Sequence, residues 1–391
     1  MSNILALTIL LVVYAFGQWV AQKTRATLSC TLVMSLVLLI AFWLGLPGDI
    51  LDVSTISGIG MVTVGISITA LGTNIDFAEL RRQWKTVIIG FLCVAIATMG
   101  IIFIGQLLIG RDTAIAGAPI FAGANAATLI MITALTEKGM ESLGTFCVMV
   151  LVTQSFVGIP IASFFLKREA RRFLKEPGNL DLYLHTASDS PTGSAVPRKR
   201  KLLEIPGSNT PEWNLAKLGI VSTISFYAAG LTNGTIHYFV FVLLLGIVFA
   251  QLGFLERDSL FKTGSATFIL FATTAVMFGT LAQTTPQMIL DMILPLLLCL
   301  GIGVICVILM AFVLSRILRI GFGLAVAIGI SCTFGYPPTL FISNEVANAI
   351  GQTEEEKTAL RNYILPKMLT AGFVTVTISS VFIAGVVAGL L

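Results

Sequence analysis

Residues 113–136 read TAIAGAPIFAGANAATLIMITALT, and residues 323–351 read GLAVAIGISCTFGYPPTLFISNEVANAIG. Whether these two apolar stretches cross a membrane or turn back inside it decides the fold. Taken as hairpins that enter and leave on one side, they leave ten other apolar segments to cross. These lie near 4–21, 28–46, 53–75, 86–109, 143–166, 213–231, 235–253, 264–283, 287–315 and 363–390. Of the 24 Lys and Arg residues, all but Arg111 and Lys138 then fall on one face. Reading both stretches as full crossings splits the basic residues between the two faces. Basic residues are retained in cytoplasmic loops, so the hairpin reading is preferred. It puts both termini outside and the central loop in the cytoplasm.

The rest of the composition agrees. The chain is 56% apolar and 11% charged, with a mean hydropathy of +0.94, which excludes an ordinary soluble domain. Apolar runs near 20 residues are the length of a membrane-spanning helix. The first run has neither a basic stretch before it nor a small-residue cleavage site after it, and reads as a retained span. The net charge of +4 reflects topology, and no nucleic-acid partner is expected. The six Cys lie in or beside apolar segments without CxxC spacing, and His185 and His237 are far apart. No disulfide, resident metal or cofactor is expected.

A basic stretch begins at Lys167 and closes with Arg198-Lys199-Arg200-Lys201 and the residues up to 212. It divides the chain into an N-terminal repeat (1–172), a cytoplasmic linker (173–212) and a C-terminal repeat (213–391). Each repeat carries four spans, one hairpin and one span. The pattern recurs at an offset of 211 residues: Ile109-Gly110 matches Ile320-Gly321, and Thr128-Leu129 matches Thr339-Leu340. With five crossings in the first half, the second starts on the opposite side and the repeats are inverted. The expected fold is therefore an all-α integral membrane protein of two inverted five-helix repeats, each with a re-entrant hairpin before its last helix, a recurrent plan of secondary transporters.

Chemistry is expected at the hairpin tips. Arms of roughly 10 residues rise about 15 Å, half of a ~30 Å hydrocarbon core, so both tips would reach the midplane. A bend there leaves peptide groups that lipid cannot satisfy. Gly123 and Gly335 allow the turn, and Pro337 and Pro338 suit the first turn of a returning helix. Free N–H groups and the positive helix end would receive a carboxylate. Gly123, Ala124, Asn125, Thr128, Gly335, Tyr336, Pro337, Pro338 and Thr339 are the candidate substrate residues. Thr133, Ser343, Asn344, Glu345 and Asn348 supply oxygen donors of the kind a hard cation prefers. Glu345 stands alone among apolar neighbours, and an intramembrane acid is a functional candidate by default. Its plainer reading is a cytoplasmic-mouth residue beside Lys357 or Arg361. Asp76 reads as a solvated helix end, Asp291 as near the outer surface, and Arg111 as paired with Asp112 or lipid headgroups.

The tips Phe121-Ala122-Gly123-Ala124-Asn125-Ala126-Ala127-Thr128 and Thr333-Phe334-Gly335-Tyr336-Pro337-Pro338-Thr339, set in this order of spans, resemble the sodium/glutamate symporter family and the related sodium:citrate carriers. The family's Gly-Gly pairs are absent from both tips. The resemblance implies Na⁺ as coupling ion, a glutamate-like amino acid or other small carboxylate as substrate, and a homodimer in a bacterial inner membrane. It also implies a scaffold domain and a hairpin-bearing domain that moves. The alternatives left open are a cation/proton antiporter, for which Glu345 is the candidate acid, and an H⁺-coupled carboxylate carrier. An integral membrane enzyme would need paired acids with a metal, or a His/Ser/Cys nucleophile set; neither pattern is in the chain.

Overall fold

Thr-Pro pairs start two of the long helices. The Thr210 hydroxyl accepts from the Trp213 N–H, and the Thr285 hydroxyl from the Met288 N–H, with Pro at the next position in each. A Thr at the cap satisfies an orphan donor, and Pro costs nothing at a position whose N–H is free anyway. Thr353 and Glu356 form a reciprocal capping box that starts the last helix, about three turns before the expected 363. The computed structural model describes residues 1–24, 30–73, 77–140, 142–176, 178, 180, 183–184, 210–231, 238–335 and 338–391. Asp76, His185, His237, Tyr336, Pro337 and the basic run 198–201 lie outside them.

The described residues are helical, with no strand. The first half contains α1 (Asn3–Lys23), α2 (Cys30–Trp43), α3 (Ile56–Thr73), α4 (Trp84–Leu108), α5 (Arg111–Glu137) and α6 (Ser142–Lys175). The second contains α7 (Pro211–Gly230), α8 (Tyr238–Leu252), α9 (Ala266–Phe278), α10 (Pro286–Leu318), α11 (Phe322–Ile330), α12 (Pro338–Ile350), α13 (Glu354–Val374) and α14 (Ser380–Ala388). A π-helical turn, Thr375–Ser379, joins the last two. A helix therefore stands at each of the ten expected crossings. Six are long and apolar enough to span a membrane: α1, α3, α4, α6, α10 and the continuous Glu354–Ala388. Helices α2, α8 and α9 are shorter apolar helices. The chain is an all-α protein with the helices of a membrane protein.

Packing falls into two groups. Helices α3, α7, α8 and α9 pack together, with α1 on α2 beside them. Small residues bring backbones close there: Gly72 of α3 lies against Gly246 of α8, and Gly60 against the Ala272 carbonyl of α9. Close approach of this kind replaces the hydrophobic drive that helices lack in lipid. The second group is α4, α5, α6 and α10 to α14. Its two ends differ in charge. Lys85 donates to the Leu318 carbonyl at one end, with Arg316 and Arg319 nearby. At the other end Arg111 donates to the Leu390 carbonyl, and the Thr145 and Thr284 hydroxyls share a 2.8 Å hydrogen bond.

The two stretches that decide the fold behave differently in detail. In 323–351 the helix breaks. A 3-10 turn, Ser331–Thr333, follows α11, and Gly335 takes a φ of 58° before α12 starts at Pro338. Both ends of this stretch lie at the basic end. Gly321 and Gly323 pack on Glu169, Gly351 packs on Lys357, and Tyr363 donates to Glu169 at 3.2 Å. In 113–136 no open loop stands at Gly123-Ala124-Asn125: the helical run is unbroken from Arg111 to Glu137. Yet the neighbours reverse. Gly117 faces Cys299 and Phe121 faces Gly303, so this arm follows α10 inward from its Pro286 end. Thr133 and Thr136 are back beside Met288, lining one cavity with it. A straight helix of this length, about 40 Å, would carry Thr136 to the far end of α10. Thr136 lies instead near the end of α10 from which the stretch set out. Ala122, Ala124, Ala126 and Ala127 sustain helix up to the bend.

Candidate functional site

Each bend rests on the last long helix of the other half. Gly123 of α5 lies flush against Ser380, where any Cβ would overlap that side chain. The second bend is the counterpart: Thr333 presses on Gly158 of α6, and the Ser155 hydroxyl donates to the Thr333 carbonyl at 3.1 Å. Gly335 faces Val376 of the π turn, and Thr339 faces Gly372 of α13. The two bends and the π turn therefore share one waist between the ends of the helices.

This waist holds polar atoms without partners among the described residues. Both amide atoms of Gln154, the Thr339 hydroxyl and the Ser379 hydroxyl are buried and make no hydrogen bond. All three residues are fully buried. Each sits next to a bend contact: Gln154 beside Ser155, Thr339 donating its N–H to the Gly335 carbonyl at 3.1 Å, and Ser379 beside Ser380. Leaving such a group buried and unpaired costs about 1–3 kcal/mol, so each calls for a polar partner such as a water or an ion. The π turn adds to this, since π turns inside α-helices are frequent at functional sites. Its remaining hydroxyls are satisfied locally: Thr375 donates to Ala371, and Thr377 to Phe373.

The waist gathers Gly123, Gly335, Pro338, Thr339 and Ser343, the last donating to the Thr339 carbonyl at 2.6 Å. Thr128 is buried one turn past the first bend, and Asn125 at that bend is exposed. At Ala124 only the backbone is described. The other candidates lie elsewhere. Thr133 lines a cavity of about 720 Å³ at the acidic end, with Asp49 and Asp52. Asn344 turns its amide back onto the Leu340 carbonyl at 3.0 Å. Asn348 accepts from Arg361 at the base of α12. The Glu345 side chain is 68% exposed and pairs with Lys167 at 3.8 Å. Asp291 is exposed and accepts from Gln287, and Arg111 pairs with the Leu390 carbonyl instead of Asp112.

The sequence reading passed over Gln154, Ser379 and Ser380. The visible signal was polar runs inside apolar spans, Thr153-Gln154-Ser155 and Thr375-Val376-Thr377-Ile378-Ser379-Ser380. It also passed over Glu169, the one buried carboxylate among the described residues. At the basic end a second cavity, of about 890 Å³, opens beside Glu169, Tyr363, Arg316 and Lys367. Two cavities of opposite charge thus lie at opposite ends. No family model matches this chain, and no curated protein matches it.

Proposed function

We propose that this protein is a secondary active transporter that couples Na⁺ entry to uptake of a small organic anion, glutamate-like in the first instance. The observation that carries the reading is the set of unpartnered buried polar atoms of Gln154, Thr339 and Ser379 where the two bends meet. In this reading α5 and α11–α12 are re-entrant hairpins, the two halves are inverted repeats, and the basic end is cytoplasmic. The reciprocal contacts, first bend on Ser380 and second bend on Gly158, are what a two-fold axis in the membrane plane would give.

The chemistry follows from the parts. Helix α12 starts at the waist, so its positive end would face a carboxylate. The Thr339 and Ser379 hydroxyls, the Gln154 amide oxygen and nearby carbonyls are neutral oxygens for a hard monovalent cation. The acidic-end cavity would admit the cation from outside, and the basic-end cavity would release the anion inside. Alternating access would come from the hairpin-bearing group moving against the group built on α3, α8 and α9. A proton-coupled carrier is the second reading, favoured by Glu169 buried against Tyr363.

The test is uptake of radiolabelled glutamate into proteoliposomes under an inward Na⁺ gradient, compared with K⁺ and with a pH gradient, with unlabelled carboxylates as competitors. Na⁺-driven uptake lost in Thr339→Val and Ser379→Ala supports the proposal. Uptake driven only by the pH gradient and lost in Glu169→Gln replaces it with the second reading. Uptake of no carboxylate under any gradient overturns both.

A further inference from the structure

We propose that the basic-end cavity is a binding site for a phosphate-bearing anion: the headgroup of an acidic phospholipid, or a soluble organic phosphate of similar size. This does not rest on the transport reading. Six cations line the cavity: Arg82, Lys85, Arg172, Arg316, Arg319 and Lys367. Only two acids do, Glu169 and Glu176, and both are committed, Glu169 to the Tyr363 hydroxyl and Glu176 to Arg172 at 3.2 Å.

Four of the cations have no acidic partner among the described residues. Lys85 donates to the Leu318 carbonyl and lies over the Trp84 ring; Arg316 lies over Phe312. Lys367 donates to the Tyr363 carbonyl at 2.7 Å with its ammonium 4.4 Å from the centre of the Tyr363 ring. Arg319 ends α10 in a left-handed conformation. Aromatic faces hold these cations in place without neutralising them.

Two helix starts open on the same space. Helix α4 begins after Gln83 and α11 after Gly321, neither with a side-chain cap, and both first turns line the cavity. Uncapped N–H groups and guanidinium forks are the donors that suit a tetrahedral oxyanion. The volume of about 890 Å³ suits a substituted phosphate better than the bare ion. On the flank, Trp84 and Phe312 are about half exposed, an apolar wall that an acyl chain would meet. Basic pockets between helices at the cytoplasmic face are where anionic lipid headgroups bind.

The experiment is native mass spectrometry of the full chain in detergent, titrated with phosphatidylglycerol or phosphatidylcholine, together with a thermal-shift titration using glycerol 3-phosphate. Retention of phosphatidylglycerol about tenfold over phosphatidylcholine is expected, with that preference lost in Arg316→Gln/Arg319→Gln and kept in Arg171→Gln outside the cavity. Arg319→Gly is the second variant, because glycine accepts the left-handed backbone and removes the charge without strain. Stabilisation by glycerol 3-phosphate that the same variants abolish identifies a soluble phosphate as the source; lipid retention without it identifies the headgroup. Equal retention of both lipids with no response to glycerol 3-phosphate, or a preference untouched in both charge variants, overturns the proposal.

Discussion

Gly123 and Ser380 meet so closely that no side chain fits between them: a Cβ on Gly123 would fall inside the Ser380 side chain. They come from opposite halves of the chain, and the contact seats the first bend on the last helix. Gly123→Ala is expected to destabilise the protein by about 1–3 kcal/mol through overpacking and to abolish uptake. Ser380→Gly in the same chain restores the space. Thermal melting of the single and double variants checks this, and the contact has no role in holding the bend if Ser380→Gly fails to recover the melting temperature.

Thr339→Val separates stability from function. The swap keeps the shape and removes a buried hydroxyl that has no partner, so the fold should hold or gain up to about 1 kcal/mol. Na⁺-dependent uptake should fall at least about tenfold, since a lost oxygen ligand of about 1.4 kcal/mol is a factor of ten. Unchanged uptake at unchanged melting temperature would remove Thr339 from the site.

Glu345→Gln should be nearly silent. The carboxylate is 68% exposed in a 3.8 Å pair with Lys167, and exposed pairs contribute about 0–1 kcal/mol. Uptake is expected within twofold of the parent chain. Complete loss would return Glu345 to the mechanism and show that the helix base works as part of the site.

The reversal of α5 has a direct topological test. In a chain whose native cysteines, all free, have been replaced, Asp112→Cys and Lys138→Cys should react with an impermeant maleimide from the same side. Arg319→Cys should react from the other. Labelling of the two ends of α5 from opposite sides would make it a full crossing and remove the inverted repeat.

Thr353→Ala removes the cap that starts α13 and should cost about 1 kcal/mol. The loss should appear in melting temperature and leave the substrate affinity of the folded protein unchanged; a changed affinity would tie this helix start to the waist.

Much of this fold was legible because lipid enforces it: hydropathy located a helix at each of the ten expected crossings. What was not legible depended on the rotation of side chains about helix axes. Glu345 has apolar sequence neighbours, yet Phe341, Glu345 and Asn348 form an exposed stripe while Ile342, Ser343, Val346 and Ala347 are buried. A run of apolar letters cannot reveal that stripe without its phase. Gln154 and Ser379 were hidden in the reverse sense. They stand in spans read as simple crossings, and only the fold brings them to the bends. At Gly123-Ala124-Asn125 an open loop was expected and a helical run stands instead, because the alanines around it favour helix.

The reciprocal seating of the bends has a consequence for biogenesis. The first hairpin leaves the ribosome long before Ser380 is synthesised, so it has no permanent floor while most of the chain is being made. Its waist surface must be sheltered by lipid, water or an insertase until the final helix arrives. Closure of the waist is then the last step of assembly. Two half-chains expressed from separate genes should then find each other, whereas either half alone should be degraded.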